Sequence, residues 1–221
     1  MEKVLVSWSG GKDCALAMHE ILAGGGYQVV ALLTTITAEH DRLDMHDIRI
    51  SLIERQAQAL GLPWEKVEVS SHTSNADYEP DLVQVLRRYR ESGVTGVVFG
   101  DIFREDLRKY RGLNLARLGL RAIFPLWQRE DFQLMESLIS SGFKAIVVSV
   151  NTQALDGRFV GRSINWRFMF DFPKNASVCG EYGEYHTFVH DGPIFKSGVP
   201  FQVGDTFVRD DHFRYIDLIP N

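Results

Sequence analysis

Short apolar runs at residues 4–6, 29–33, 67–69, 94–99, 122–124 and 145–150 alternate with segments of helical periodicity. Apart from Glu68, Thr95, Gly96 and Ser149 the runs are apolar at successive positions, as expected of strands covered on both faces. Strands of that kind, separated by helices, specify a parallel sheet in an α/β fold. The intervening stripes are Ala15, Met18 and Leu22 with Ile21, stopped by Gly24-Gly25-Gly26, then Ile48, Leu52, Ile53, Gln56 and Leu60, closed by Gly61 and Pro63. Asp77 is expected to cap a third helix with Pro80 in its first turn and Leu82, Leu86 and Tyr89 facing inward, and further helices are expected at 106–118 and 132–139. Ligands of such a sheet bind at the carboxyl ends of its strands. Here those ends are residues 7–13, 34–47, 70–75, 100–104, 125–127 and 151 onward.

Past residue 150 the pattern changes. Residues 157–173 are rich in Gly, Arg and aromatics without a period, and from Phe188 short β-rich runs alternate with turns such as Asp191-Gly192-Pro193 and Val203-Gly204-Asp205. The expected organisation is a main domain at 1–150 and a smaller β-rich subdomain at 151–221, packed over the strand ends. Its β-rich part offers an edge at which a second copy could pair into a homodimer.

Charge and cysteine usage narrow the function classes. A net charge of −5 among 221 residues argues against a nucleic-acid partner, although Arg104, Arg108, Lys109 and Arg111 form a local basic cluster. Cys14 and Cys179 are not spaced as a structural pair, which fits a reducing cytoplasm. The start, Met1-Glu2-Lys3-Val4-Leu5-Val6-Ser7, reads as a strand rather than a signal peptide, and no apolar run is long enough for a membrane span.

The chemistry begins where the first strand meets the first helix. Ser9-Gly10-Gly11-Lys12-Asp13 combines glycines that bring bare backbone close to a ligand, a helix start with unpaired N–H donors, a hydroxyl and an ammonium. All four favour a polyphosphate. The spacing is neither G-x-x-x-x-G-K-[ST] nor G-x-G-x-x-G. An ordinary glycine-rich turn with a surface lysine is the bland alternative, against which stands the helix stability such glycines sacrifice.

This segment resembles the PP-loop of the ATP pyrophosphatases, enzymes that cleave ATP between the α- and β-phosphates and adenylate a substrate. The resemblance implies a HUP-type, Rossmann-like sheet with helices on both faces, and a PP-loop ATP-binding domain at 1–150. It implies that Ser9, Gly10, Gly11, Lys12 and Asp13 hold the pyrophosphate portion, with Ser7, Thr34 and Gly100 at neighbouring strand ends completing the nucleotide site. Asp13 either helps hold Mg²⁺ or caps the helix. The final serine of the family loop is Cys14 here, a departure seen within the branch that follows.

Cys179-Gly180-Glu181-Tyr182-Gly183-Glu184-Tyr185-His186-Thr187 has glycines too dense for an ordinary strand, and carboxylates spaced to point together if a turn forms. The bland reading is two solvated acids. The segment resembles the Gly-Glu-x-Gly-Glu-aromatic-His-Thr signature of the diphthine–ammonia ligase-like branch of the ATP pyrophosphatases. Phe188-Val189, Asp191-Gly192-Pro193, Phe195, Phe99-Gly100-Asp101-Ile102 and Pro125-Leu126-Trp127 continue the match over nearly the whole chain. That branch amidates the carboxylate of diphthine, a modified histidine on elongation factor 2. The implied reaction is an ATP-dependent, AMP-forming amidation with ammonia of a carboxylate, either diphthine or a small molecule. Catalytic expectations fall on Lys12, Glu181, Glu184 and His186, with the two carboxylates attracting ammonium. Substrate-side expectations fall on His46, Asp101, Arg104, Gly180, Gly183 and Thr187.

Several residues carry weaker cases. His46 contacts substrate or phosphate, or else caps a helix, and relatives in the branch carry glycine where Asp47 stands. Arg104, Arg108 and Arg111 make either an anion clamp or a solvated helix face, and Gly112-Leu113 stand where relatives show acids. Arg158, Arg162 and Arg167, with Trp166, make an acidic-substrate pocket or simply pack. Two rival functions remain on the same fold: a tRNA-modifying ATP pyrophosphatase, disfavoured by the acidic charge, and a nucleotide-binding sensor without catalysis, disfavoured by the paired acids.

Overall fold

The computed structural model describes residues 1–37, 41–43, 46–69 and 80–221. The expected cap Asp77, the expected strand end at 70–75 and Met45 lie outside the described residues. The first half of the chain runs β1 (Glu2–Ser7), α1 (Lys12–Ala23), β2 (Tyr27–Thr37), β3 (Arg42–Leu43), β4 (Ile48–Arg49), α2 (Ile50–Leu60), β5 (Trp64–Val69), α3 (Pro80–Glu91) and β6 (Val94–Val98). It continues with α4 (Glu105–Arg117), β7 (Arg121–Ile123), α5 (Asp131–Ser140), β8 (Lys144–Asn151), α6 (Trp166–Asp171), β9 (Tyr185–Asp191), β10 (Phe201–Arg209) and β11 (Phe213–Pro220).

By its internal contacts the chain divides into two compact units. One comprises Met1–Ser9, Asp13–His40 and Leu62–Trp127; the other Gly10–Lys12, Asp41–Gly61 and Gln128–Asn221.

The first unit holds a five-stranded parallel sheet in the order β5-β2-β1-β6-β7. On one face Leu5, Ala31, Leu33 and Val97 pack with Leu82 and Leu86 of α3 and Leu115 of α4. Their neighbours along the strands, Val4, Val6, Leu32 and Val98, point to the other face and are also 0% exposed. Both faces are therefore covered, which is why the runs read as continuously apolar. In α1, Ala15, Met18 and Ile21 are buried as expected, but Leu22 is exposed. The chain fills one side of β1 with β2 and β5, then crosses to the other side for β6 and β7. That crossing makes the carboxyl ends of β1 and β6 a topological switch point.

The second unit holds an antiparallel sheet in the order β10-β11-β8-β9. Residues 145–150, expected to extend the parallel sheet, instead lie in β8 and pair antiparallel with β9 and β11. A continuous apolar run reports two covered faces but not strand direction, and both partners come from much later in the chain. Phe159, Phe168, Phe172 and Tyr185 form an aromatic cluster beside this sheet, with ring centroids 5.4–5.8 Å apart. In the same unit α2 ends at Gly61, which takes φ 70° and donates its N–H back to Ala57. Among the described residues no helix is long and apolar enough to cross a membrane.

Candidate active site

At the switch point the loop after β1 is anchored before it turns. Trp8 is 2% exposed; its N–H donates to Leu33 O at 2.8 Å and its carbonyl accepts the Thr34 hydroxyl at 2.7 Å. Thr34 in turn accepts from Trp64 Nε1 at 2.9 Å. Its hydroxyl is thus engaged on both sides and buried, so the sequence-predicted Thr34 acts on the loop through Trp8. Ser7 is the last residue of β1. Ser9 Oγ lies 3.7 Å from Cys14 Sγ, which ties the start of the loop to the first turn of α1.

Gly100 follows β6 at the same switch point. A Cβ there would lie 2.6 Å from the Asp13 carbonyl carbon and 2.8 Å from Cys14 N. Any side chain would push this strand end off the helix start, so the glycine is a requirement of close approach.

The middle of the loop is held within the second unit. Gly10 takes φ +79°, and a Cβ on it would sit 2.6 Å from Ile53 Cδ1 and 2.8 Å from Gln56 Oε1. Its carbonyl accepts from Val189 N at 2.9 Å and from Gln56 Nε2 at 3.0 Å. The same Gln56 amide donates to Val189 O at 2.5 Å. Lys12 N donates to Thr187 Oγ1 at 3.0 Å. The Lys12 side chain is 4% exposed, with its ammonium 5.2 Å from the centre of the Tyr185 ring. The expected surface-lysine alternative is excluded by that burial.

The signature segment is a tied turn leading into β9. Gly180 and Gly183 take φ +68° and +86°. Glu184 is 6% exposed; its Oε1 accepts from Ser177 N at 3.1 Å and its Oε2 from Tyr182 N at 3.0 Å. Tyr185 donates its hydroxyl to Val178 O at 2.5 Å, and Ser177 Oγ reaches Asp131 Oδ2 at 2.5 Å. Glu184 therefore spans the turn it belongs to, whereas Glu181 lies within that turn and is half-buried. His186 follows, its ring centroid 4.5 Å from that of His46. Burial, then His46, then Lys12 hold His186 well below the ordinary imidazole value of 6.5, so it is neutral at pH 7. A neutral imidazole beside a buried ammonium can donate or accept a hydrogen bond without adding charge.

The basic cluster of the α4 region does not form an open cationic patch. Arg111 pairs with Asp101, Nη2 to Oδ1 at 3.2 Å and Nε to Oδ2 at 3.1 Å, and lies 4.4 Å over Phe99. Arg104 binds Asp106 through two hydrogen bonds of 3.0 and 2.7 Å, holding that carboxyl down at about 2. Lys109 lies 3.3 Å from Glu105, and Arg108 stacks 4.5 Å over Trp127. Arg162 and Arg167 both pair with Asp171. With acids interleaved at that density, the expected anion clamp is internally compensated.

Among the described residues no three His, Cys, Asp or Glu side chains gather to hold a metal ion. Asp13, in the first turn of α1, offers a single carboxylate. That fits Mg²⁺ carried in on phosphate oxygens, which supply the remaining ligands, rather than a protein-built cage.

Gln56 was visible in the sequence only as a polar residue on an apolar helical stripe. That misfit was the available signal: a fully buried amide is kept where it has partners. Asp217 and Arg209 carried no sequence signal, because their partners Arg42, Arg49 and Asp47 are distant in the chain.

The chain is similar to known proteins along most of its length. The sequence model of the diphthamide synthase N-terminal domain matches residues 2–122, and that of the diphthamide synthase C-terminal domain matches residues 130–211. Diphthine–ammonia ligase of Danio rerio is 31% identical over 225 residues, covering 92% of this chain and 88% of the relative. The human diphthine–ammonia ligase is 29% identical over 240 residues, covering 95% and 89%. A solved U34-tRNA thiolase from Methanococcus maripaludis superposes with a TM-score of 0.35 at 16% identity, over 62% of this chain and 56% of that one, too loose a likeness to inform the site.

Proposed function

The chain belongs to the diphthamide synthase family, and from that premise we propose that it is an ATP-dependent, AMP-forming ligase that amidates a carboxylate with ammonia. The observation that carries the reading is Lys12: buried, on a glycine turn whose backbone is gripped by Thr187, Val189 and Gln56. A buried ammonium at a helix start suits the pyrophosphate end of ATP.

In this reading a carboxylate oxygen of the acceptor attacks the α-phosphorus, and the bond to the bridging β-oxygen breaks, releasing pyrophosphate. Ammonia then attacks the acyl carbon, the acyl–oxygen bond breaks, AMP departs and a proton is lost. Lys12, the Ser9 hydroxyl and the loop N–H groups at Gly10 and Gly11 stabilise the charge growing on pyrophosphate. Ser7, Thr34 and Gly100 set the backbone that carries them. Asp13 would hold Mg²⁺, which when bound adds charge neutralisation on the leaving group.

His46 and His186 face the acceptor, with Asp101 and Arg104 as further substrate-side groups. Gly180, Gly183 and Thr187 shape the turn that places His186. Glu181 and Glu184 attract ammonium; Glu184, both of whose oxygens hold backbone N–H groups, contributes through its remaining lone pairs and by fixing the turn. The acceptor is diphthine, the substrate in the relatives' name, or a small-molecule carboxylate. Cys14 and Cys179 lie outside any disulfide, which fits a cytoplasmic setting.

The test is incubation with Mg-ATP, ammonium and a diphthine-bearing or small carboxylate acceptor, resolving AMP from ADP. AMP and pyrophosphate in equal amounts, dependent on both acceptor and ammonium, are expected. ADP as the sole product would overturn the reading.

A further inference from the structure

The loop that carries His46 is held by charges from the far end of the chain. Strands β3 and β4 are two residues each, too short to hold themselves. Their register sets Arg42 directly opposite Arg49, two like charges. Asp217 of β11 resolves the conflict: its Oδ1 accepts from Arg42 Nη2 at 2.9 Å and Arg49 Nε at 3.1 Å, and its Oδ2 from Arg49 Nη2 at 2.7 Å.

Asp47 is gripped more completely still. Its backbone takes φ +52°, in the left-handed region. Its N–H donates to Leu43 O at 2.8 Å, and its carbonyl accepts from Arg42 Nη1 at 2.8 Å. Carboxylate Oδ2 accepts from Arg42 Nη1 at 2.9 Å, and Oδ1 lies 2.6 Å from Arg209 Nη1 of β10. With its side chain 7% exposed, Asp47 is fixed at all four polar groups. The next residue back is His46, against His186 of β9.

We propose that Asp47 is a positioning residue: the Arg42–Asp47–Arg209 clamp, braced by Asp217, holds His46 onto His186 and thereby tunes how the acceptor is bound. The proposal rests on the reading in which these two histidines face the acceptor carboxylate. Left-handed backbone alone would be met better by glycine, which has no Cβ to strain. An aspartate there accepts that strain and in exchange gains two guanidinium anchors. A residue held left-handed by surrounding contacts, one position from a substrate-side group, is how local strain is used to aim a side chain.

The experiment compares wild type, Asp47→Gly, Arg209→Ala, His46→Ala and the double variant Asp47→Gly/His46→Ala. Asp47→Gly keeps the backbone conformation available and deletes both grips. We expect it and Arg209→Ala to raise KM for the acceptor roughly tenfold with KM for ATP unchanged. In the double variant the Asp47→Gly effect should vanish, because a residue acting through His46 has nothing left to act on. A second readout needs no turnover: the nuclear Overhauser contact between the His46 and His186 ring protons should be present in wild type and lost in both clamp variants. If wild type makes no AMP, the ligase reading fails while this contact still tests the clamp. Persistence of the contact in Asp47→Gly and Arg209→Ala, or an Asp47→Gly effect undiminished without His46, would overturn the proposal.

Discussion

The side-chain amide of Gln56 donates to the carbonyl oxygen of Gly10 at 3.0 Å, so α2 fastens the glycine turn at its left-handed residue. The amide also donates to Val189 O at 2.5 Å, and the residue is 0% exposed. One side chain thus locks the turn to β9.

Gln56→Leu has nearly the same volume and no donor. It leaves Val189 O without its amide partner and removes one of two hydrogen bonds on Gly10 O, costing about 1–3 kcal/mol by denaturant unfolding. The displaced turn should also weaken ATP binding by calorimetry. Unchanged ATP affinity in a destabilised Gln56→Leu protein would separate the packing role of this amide from any role in the loop.

Gly10→Ala tests the turn itself. At φ +79° an alanine costs about 1–2 kcal/mol for the backbone. The new methyl must also displace Ile53 Cδ1 and Gln56 Oε1, at 2.6 and 2.8 Å, which adds about 1–3 kcal/mol of overpacking. Because Gln56 is the group displaced, ATP affinity and stability should fall together. Full ATP affinity in Gly10→Ala would show that the turn does not hold the nucleotide.

How much of this was readable in the chain depended on how local the cause was. The parallel sheet, the helix stripes and the Ser9–Asp13 turn each announce themselves within a dozen residues, through continuous apolar runs and through glycines before a helix. Strand β8 read as one more parallel strand because its burial is local and its antiparallel partners are not. Thr34 was readable as a strand-end hydroxyl, but it lies inside β2, which continues to Thr37, and its engagement with Trp8 and Trp64 follows only from the register of β2 beside β1 and β5. The same holds for Arg42 and Asp217, 175 positions apart and meaningless until they meet. The basic cluster at α4 stayed open between a clamp and a solvated face for the opposite reason: its acids were in plain view at Asp101, Glu105 and Asp106, and their pairing depends on side-chain geometry.

Lys12→Met keeps the length and apolar stem of a side chain that is 4% exposed, while deleting its charge. Removing one preorganised electrostatic partner of a developing charge costs roughly 10²–10³ in kcat. That loss should appear in AMP formation with little change in stability, since methionine can still lie against Tyr185. AMP formation at the wild-type rate would remove Lys12 from the mechanism.

His186 makes a prediction whose sign is fixed by burial. Its folded-state pKa lies well below 6.5, the ordinary value taken for the unfolded chain, because burial, His46 and Lys12 all disfavour the imidazolium. The unfolded chain then binds more protons than the folded one throughout the window between the two values, so stability rises with pH there. The contribution is fully present above about pH 6.5 and is lost as pH falls toward the folded-state value, at no more than about 1.4 kcal/mol per pH unit for one proton. Carboxylates add their own slope at lower pH, so the quantity to read is a difference between two proteins. Denaturant unfolding at pH 7.5, 6.5 and 5.5 should show wild type losing stability faster on acidification than His186→Gln, which has no proton to gain. Parallel slopes would mean that His186 takes up its proton as readily folded as unfolded, and that its surroundings do not disfavour the imidazolium.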